Sequence, residues 1–351
     1  MKKIALISGI SGQDGSYLAE WLLRQQYEVH GIIRRVAVDH PHKRLWRILH
    51  LLDKIHLHEA TLENYASLFE VVRRVQPTEC YHLAAQSYVQ SSFEDPFSTM
   101  TTNVNGTLYL LSAIKENVPG CKFYFAATSE MFGTISPGEG EQDEQSLFHP
   151  NSPYGVSKTA GFYLVQNYRE TYGMQAWNGI LFNHESPRRG SEFVSRKITS
   201  YIAQLLKGKK DKLYLGNMDS QRDWGYAPEY VSMMWKMLQT DTPANYVIGT
   251  GVPHTIKTFL KEAFEYVDLD WTKYVESDEK LLRPLDIYQL KASSKLAQEK
   301  LNWGPRIQLG DLVKIMVDID LKRQGLTPPG VGLAILSEKM GEPLYFDEIL
   351  N

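Results

Sequence analysis

A tyrosine and a lysine four residues apart, Tyr154 and Lys158, are candidate catalytic residues. Residues at this spacing share one face of a helix, so the ammonium can stabilise the phenolate and help the tyrosine act as a general base. The spacing alone is a weak signal. The pair gains weight because it follows a predicted buried strand, Phe123 to Ala127, whose end supplies the Thr128 hydroxyl.

A glutamate, Glu130, follows the same strand two residues after Thr128. Thr128 can hydrogen-bond a substrate oxygen that Tyr154 deprotonates. A carboxylate beside this pair can remove a carbon-bound proton next to a transient ketone and then protonate a leaving hydroxyl. A simple alcohol oxidation does not need that group, so Glu130 favours dehydration.

Three glycines come directly after the first predicted strand and open the first predicted helix, in Gly9-Ile10-Ser11-Gly12-Gln13-Asp14-Gly15. Such a turn lets the backbone approach a pyrophosphate, whose charge then lies against the free N–H groups of the helix start. A tight turn without a ligand is the alternative, which the strand–turn–helix context disfavours. We predict dinucleotide contacts from Gly9, Gly12, Gln13, Asp14 and Gly15.

Two arginines, Arg34 and Arg35, stand at the end of the second predicted strand, where an NAD enzyme usually has an acidic residue. A guanidinium pairs with a 2′-phosphate, which a carboxylate would repel. The arginine pair therefore predicts NADP rather than NAD as the cofactor, unless both side chains are merely solvated.

The strands and helices that hold these residues can be predicted from the sequence. Short β-rich runs alternate with longer amphipathic stretches, which is the pattern of βαβ units. We predict an α/β fold, a doubly wound parallel sheet of the Rossmann type with a smaller C-terminal substrate-binding domain. The predicted boundaries are 1–182 with a return segment at about 222–250 for the first domain, 183–221 and 251–324 for the second, and 325–351 for a C-terminal tail.

Composition excludes several classes of protein. Apolar residues make up 43% and charged residues 23% of 351 residues, and 41 acidic against 38 basic side chains give a charge of −3. This balance does not favour a nucleic-acid or membrane-surface partner. Cys80 and Cys121 have no second cysteine or clustered histidine at metal spacing, so neither a metal site nor a disulfide is predicted. The N-terminus lacks a signal-peptide pattern, which predicts a cytoplasmic protein.

Longer segments resemble the GDP-mannose 4,6-dehydratase family of extended short-chain dehydrogenases/reductases. The G-x-x-G-x-x-G spacing is typical of that superfamily, and the resemblance runs from Lys3 to about Gln324. Its most specific parts are GISGQDGSYL (9–18), AATSEM (126–131), NGILFNHESPRRG (178–190), FVSRKI (193–198) and LGNMDSQRDWG (215–225).

The resemblance implies NADP-dependent 4,6-dehydration of a GDP-linked sugar, in the first place GDP-mannose, by a homodimer or homotetramer. Its implied catalytic residues are Thr128, Glu130, Tyr154 and Lys158. His184 and Arg189 join the implied cofactor contacts. The implied substrate contacts are Ser87, Asn183, Val194, Lys197, Gly216, Arg222, Arg283 and Asp286. A diphosphate also needs cations on physical grounds, and Lys197, Arg222 and Arg283 can supply them.

The chain departs from the family pattern at three places. Thr61 stands where the family has an aspartate that contacts adenine, Asp286 stands where glutamate is usual, and Leu290-Lys291-Ala292 replaces an expected glycine–aspartate pair. The last two changes lie in the substrate half, so a GDP-linked heptose or N-acetylglucosamine is an alternative substrate. A sugar-nucleotide epimerase or reductase, for which Glu130 would be incidental, and a cofactor-sensing binding protein are the alternative functions.

Overall fold

The computed structural model describes residues 2–34, 36, 41–134, 140–282 and 285–340. Its strands are β1 (Ile4–Ser8), β2 (Glu28–Ile33), β3 (His56–Glu59), β4 (Glu79–His82), β5 (Lys122–Thr128), β6 (Ala176–Leu181), β7 (Asn183–Glu185), β8 (Leu213–Leu215), β9 (Gln221–Tyr226), β10 (Asn245–Ile248), β11 (Pro253–Thr255) and β12 (Val275–Ser277). Its helices are α1 (Gln13–Arg24), α2 (Pro41–Arg44), α3 (Tyr65–Val75), α4 (Val89–Glu94), α5 (Pro96–Met100), α6 (Gly106–Asn117), α7 (Pro153–Tyr172), α8 (Val194–Leu206), α9 (Ala227–Leu238), α10 (Ile256–Glu265), α11 (Lys295–Leu301), α12 (Leu309–Arg323) and α13 (Val331–Met340).

Seven parallel strands form the central sheet in the order β10-β6-β5-β4-β1-β2-β3. Alternate residues of one strand enter different cores, because side chains alternate between the faces of a sheet. Leu6 of β1 packs with α3 and α6, whereas Ala5 and Ile7 pack with α1 and α9. The predicted doubly wound α/β sheet is confirmed.

The position of the cleft is determined by a reversal in the order of the strands. The chain passes from β1 to β2 and β3 on one side, then crosses to β4 on the other side of β1. In open α/β sheets a crevice forms at the carboxyl ends of the strands where the order reverses. The glycine turn after β1 and the residues after β4 and β5 meet at this edge.

The C-terminal part has a core of its own, built mainly from α8, α10 and α12 with β9 and β12. A three-stranded sheet of β11, β9 and β7 connects it to the end of β6. Helix α13 packs along α12. The predicted domain boundaries stay a prediction, and residues 341–351 of the predicted tail lie outside the described residues.

Two single features complete the description of the fold. Cys80 and Cys121 are free and buried. No helix within the described ranges is long and apolar enough to cross a bilayer.

Candidate active site

One cleft of about 780 Å³ runs along the carboxyl edge of the sheet and into the C-terminal part. It is lined by every predicted site residue that the structure describes, which are Gly9, Gly12, Gln13, Asp14, Gly15, Arg34, Ser87, Thr128, Glu130, Tyr154, Lys158, Asn183, His184, Arg189, Val194, Lys197, Gly216, Arg222 and Asp286. Arg35 and Arg283 lie outside the described residues. The cleft therefore gathers residues from both halves of the chain.

Helix α7 begins at the site and carries Tyr154 and Lys158 in its first turns. The hydroxyl of Ser152 caps the helix by accepting a 3.0 Å hydrogen bond from the Gly155 amide, and Pro153 is the first helical residue. Proline suits this position because its missing N–H would have no intrahelical partner there. A Cβ on Gly155 would lie 2.8 Å from the Glu130 carbonyl oxygen. Glycine thus lets Tyr154 approach the turn that carries Glu130.

Strand β5 ends at Thr128, and a single helical turn follows it. The Thr128 hydroxyl accepts a 3.3 Å hydrogen bond from the Glu130 amide and also bonds with the Tyr154 phenol. The side chains of Glu130 and Tyr154 are both buried and line the cleft. A phenol, a hydroxyl and a carboxyl group from two separate elements thus face one space.

The Tyr154 phenol is a weak acid in this setting. Burial raises the pKa of Tyr154 to about 12, and the negative charge of Glu130 also raises it, whereas the Thr128 hydrogen bond and the Arg189 guanidinium lower it. Tyr154 can therefore act as a base at neutral pH only if further positive charge near the phenol lowers its pKa.

Lys158 follows Tyr154 by one helical turn, and its ammonium lies against strand β5. Its Nζ donates a 2.8 Å hydrogen bond to the carbonyl of Ala126, and its side chain is buried. Burial lowers the pKa of Lys158 to about 7, because a charge without solvent is disfavoured. Lys158 is thereby held on the sheet side of α7.

The glycine turn fits a dinucleotide pyrophosphate. Gly9 has a φ of +79°, and a Cβ there would lie 2.8 Å from the Ala84 amide nitrogen, so the segments that follow β1 and β4 approach closely. Helix α1 is capped by Gly12, which offers no side-chain hydrogen bond to the first N–H groups. These donors lie on the cleft lined by Gly12 and Gly15, where an anion can accept from them.

Asp14 and His184 form an ion pair across the floor of the cleft. His184 Nε2 lies 2.8 Å from Asp14 Oδ2, and the ring stacks on Tyr230. Burial disfavours the charged form of both side chains. The attraction and hydrogen bond between them outweigh this effect, so the pKa of Asp14 is lowered and the pKa of His184 is raised. The pair ties the start of α1 to β7.

The C-terminal side of the cleft carries the cations expected for a diphosphate. Arg222 donates to the Ile287 carbonyl at 2.8 Å and to Asp286 at 3.3 Å, which fixes its guanidinium. Asp286 also accepts from the Ser220 hydroxyl at 2.7 Å.

Lys197 has no carboxylate partner within the described ranges. Asn183 Oδ1 is buried and has no hydrogen-bond partner there either, so the cleft offers an unused acceptor as well.

Sequence reasoning missed a residue that supports the site from behind. Asn103 lies in a π-type turn between α5 and α6; it accepts from the Gln86 amide at 2.8 Å and donates to Ser157 Oγ at 2.9 Å. It connects the segment after β4 to helix α7. Nothing in the local sequence marks it, because its partners are distant along the chain.

Thr61, which stands where the family pattern has an aspartate, hydrogen-bonds with a nearby carboxylate. The Thr61 hydroxyl donates to the Glu63 carboxylate, which also accepts a 2.6 Å hydrogen bond from Thr102. Thr61 is not among the cleft-lining residues.

Known proteins resemble this chain over most of its length. A family model described as GDP-mannose 4,6 dehydratase matches residues 6–316. GDP-mannose 4,6 dehydratase 1 of Arabidopsis thaliana is 46% identical, covering 92% of this chain and 90% of the relative. GDP-mannose 4,6-dehydratase of Vibrio cholerae is 41% identical, covering 92% and 95%.

Solved structures of lower identity share the fold. A UDP-glucose 4-epimerase from Thermus thermophilus superimposes with a TM-score of 0.77 at 24% identity, covering 90% of this chain and 98% of that chain. A dTDP-glucose 4,6-dehydratase from Streptomyces venezuelae gives 0.78 at 20% identity, covering 99% of both. The family model and the closely matched relatives decide the assignment: the chain belongs to the GDP-mannose 4,6-dehydratase family of hydro-lyases, as its motifs predicted.

Proposed function

We propose that the protein removes water across carbons 5 and 6 of a GDP-linked hexose after transient oxidation at carbon 4, and that GDP-mannose is its substrate. The product is then GDP-4-keto-6-deoxymannose. The observation that carries the proposal is the meeting of Tyr154, Thr128 and Glu130 in one cleft with a dinucleotide-type glycine turn.

The cofactor proposed is NADP. The N–H groups at the start of α1 and the glycines before them would hold the pyrophosphate, and Arg34, which lines the cleft after β2, would pair with the 2′-phosphate. Arg35, Tyr154, Lys158, His184 and Arg189 complete the proposed contacts. A bound nicotinamide ring supplies a site that takes a hydride from carbon 4 and returns it to carbon 6, so no dinucleotide is consumed.

Tyr154 begins the reaction by taking the proton from the carbon-4 hydroxyl, while the Thr128 hydroxyl holds the same oxygen. The pKa of about 12 makes the phenolate scarce at neutral pH. Positive charge from the nicotinamide and from Lys158 is what would lower it, since an opposite charge nearby favours the ionised form. Lys158 is already buried under this face of α7.

Glu130 carries out the elimination. A ketone at carbon 4 makes the proton on carbon 5 acidic; Glu130 removes it and delivers a proton to the hydroxyl that leaves carbon 6 as water. The proton that carbon 5 regains as carbon 6 is reduced would come from the Tyr154 phenol, which holds the proton taken from the carbon-4 hydroxyl. Substrate and product thus differ by one water, and the reaction is redox-neutral overall.

The nucleotide part would bind on the C-terminal side. Lys197 and the fixed guanidinium of Arg222 can pair with the two phosphates, with Arg283 proposed as a third cation. Ser87, Asn183, Val194, Gly216 and Asp286 are the remaining proposed contacts. Because Asp286 holds Arg222 rather than pointing away from it, its shorter side chain still serves a positioning role.

The test is a panel of GDP-mannose, a GDP-heptose and GDP-N-acetylglucosamine, each scored by mass spectrometry for loss of one water. GDP-mannose should be dehydrated fastest with no net change in NADPH absorbance. Stoichiometric accumulation of NADPH, or an isomeric product of unchanged mass, would favour the oxidoreductase or epimerase alternative instead. Faster dehydration of another GDP-sugar would correct the substrate and keep the reaction.

We also propose three properties of the protein that concern its assembly, location and partners. The protein assembles as a homodimer or homotetramer, works in the cytoplasm, and uses no nucleic-acid or membrane partner. Size-exclusion chromatography with light scattering tests the first of them.

A further inference from the structure

A group of histidine and glutamate side chains lies at the amino ends of β2 and β3, at the opposite end of the strands from the catalytic cleft. Glu28 and His30 belong to β2, and His30 pairs in register with His56 of the edge strand β3. Residues two apart on a strand, and residues paired between strands, share a face of the sheet. We propose that Glu28, His30 and His56 bind a divalent transition metal ion, zinc in the first place.

The three ligand atoms lie close enough together to share one ion. His30 Nε2 lies 3.2 Å and His56 Nε2 lies 3.5 Å from the same carboxylate oxygen of Glu28, and all three ligand atoms lie within 4.8 Å of one another. Zinc bonds of about 2.0–2.1 Å at tetrahedral angles put neighbouring ligand atoms about 3.3–3.4 Å apart. The His30 and His56 rings stack with their centroids 4.7 Å apart, so they turn towards each other to bind an ion, and the fourth position is left to water.

The surrounding contacts orient the ligands. His30 Nδ1 lies 2.8 Å from Nε2 of His58, so a neutral His30 that donates from Nδ1 presents the Nε2 lone pair towards Glu28. Lys2 Nζ lies 2.7 Å from the other oxygen of Glu28 and holds that carboxylate. Partners of this kind, which fix the tautomer of a ligating histidine and the direction of a ligating carboxylate, are typical of metal sites.

The donor set selects the class of ion. Two imidazole nitrogens and one carboxylate oxygen suit zinc and its divalent neighbours, whereas magnesium and calcium prefer oxygen ligands throughout. The sequence prediction of no metal site rested on the cysteines and on short spacings, which do not reveal ligands from two separate strands.

The site would act on stability rather than on catalysis. Among the described residues, none of the cleft-lining ones belongs to this group. A metal here joins the edge strand to β2, so bound ion should raise the unfolding temperature through preferential binding to the folded state. Turnover should stay unchanged because the site lies at the far end of the strands.

The test uses full-length, untagged protein that has been treated with a chelator and dialysed. Zinc chloride is titrated by calorimetry, and cobalt(II) chloride is followed by its visible absorption. The variants are His56→Ala, which removes a side chain that is 60% exposed, and Glu28→Gln; the control is His149→Ala, an exposed histidine outside the group. Circular dichroism checks that each variant is folded.

We expect one zinc ion per chain, an absorption band of tetrahedral cobalt, and a loss of affinity of at least about 10-fold in both ligand variants but not in the control. Thermal unfolding should shift upward with zinc only in the wild type and the control. No zinc binding by the wild-type chain, or equal binding by wild type, His56→Ala and Glu28→Gln, would overturn the proposal.

Discussion

The Lys158 ammonium on α7 donates a 2.8 Å hydrogen bond to the carbonyl of Ala126 on β5. This bond fastens the helix that carries Tyr154 to the strand that leads to Thr128 and Glu130. Lys158 thus has two tasks in the proposed reaction: it holds the two elements together, and its protonated form adds positive charge to the cleft that it lines.

Replacement of this lysine should remove both effects. For Lys158→Met we expect turnover of GDP-mannose to fall by about 10²- to 10⁴-fold, the range that a positioned acid–base group contributes. Steady-state kinetics measure the loss. Lys207→Met, at an exposed lysine just after α8, is the matched control. A Lys158→Met variant within a factor of about three of the control would rule out the assigned role.

Glu130 separates dehydration from the alternative reactions. Glu130→Gln keeps the size of the side chain but removes the base, so carbon 4 should still be oxidised slowly while no water is lost. Single-turnover absorbance of the reduced nicotinamide and mass spectrometry of the sugar follow the two steps separately. An epimerase would barely respond to this change, so an unaltered rate would favour that alternative.

Arg34 tests the choice of dinucleotide. Arg34→Ala should weaken NADP by roughly 10- to 100-fold and leave NAD nearly unchanged, because a hydrogen bond to a charged group is worth about 1.5–3 kcal/mol. Calorimetry on cofactor-free protein gives both affinities. Arg73→Ala, on the exposed side of α3, serves as the control. Equal affinities of the wild-type chain for NADP and NAD would contradict the assignment.

His82 should make the fold sensitive to acid. It is buried between Ser8 Oγ at 2.7 Å and Thr107 Oγ1 at 3.1 Å, and burial lowers its pKa from 6.5 to about 3. Between these pH values the unfolded chain binds a proton that the folded chain does not, so the free energy of unfolding falls as the pH falls. Above the unfolded pKa this contribution is constant.

Urea unfolding of the wild type and His82→Gln at several pH values between 6.5 and 4 isolates this contribution. The wild type should lose up to about 1.4 kcal/mol more per pH unit than the variant, the value for one proton. Parallel curves would show that His82 is protonated in the folded state as readily as in the unfolded chain.

The sequence predicted the elements whose signals are local. Strand β1 ends directly before the glycine turn, as predicted, because a run of buried apolar residues before such a turn has few other interpretations. The sequence also predicted that Tyr154, Glu130 and Arg222 belong to one site, because long motifs identified the family. The resemblance supplied the C-terminal contacts; periodicity alone did not.

What the sequence did not predict depends on contacts between distant segments. Strands β7 and β11 are three residues long and exist because they pair with β9. The Asn103 bond to Ser157 and the convergence of His30 with His56 join residues of different elements. No pattern within one segment can show such pairs, because they arise only when the sheet and its helices assemble.

Transfer of the hydrogen on carbon 4 tests the central claim most directly. GDP-mannose carrying deuterium at carbon 4 is converted by the purified protein, and the product is examined by NMR and mass spectrometry. The account predicts that the deuterium is recovered at carbon 6 of a 4-keto-6-deoxy sugar. Loss of the label to solvent, or a product that still carries deuterium at carbon 4, would contradict it.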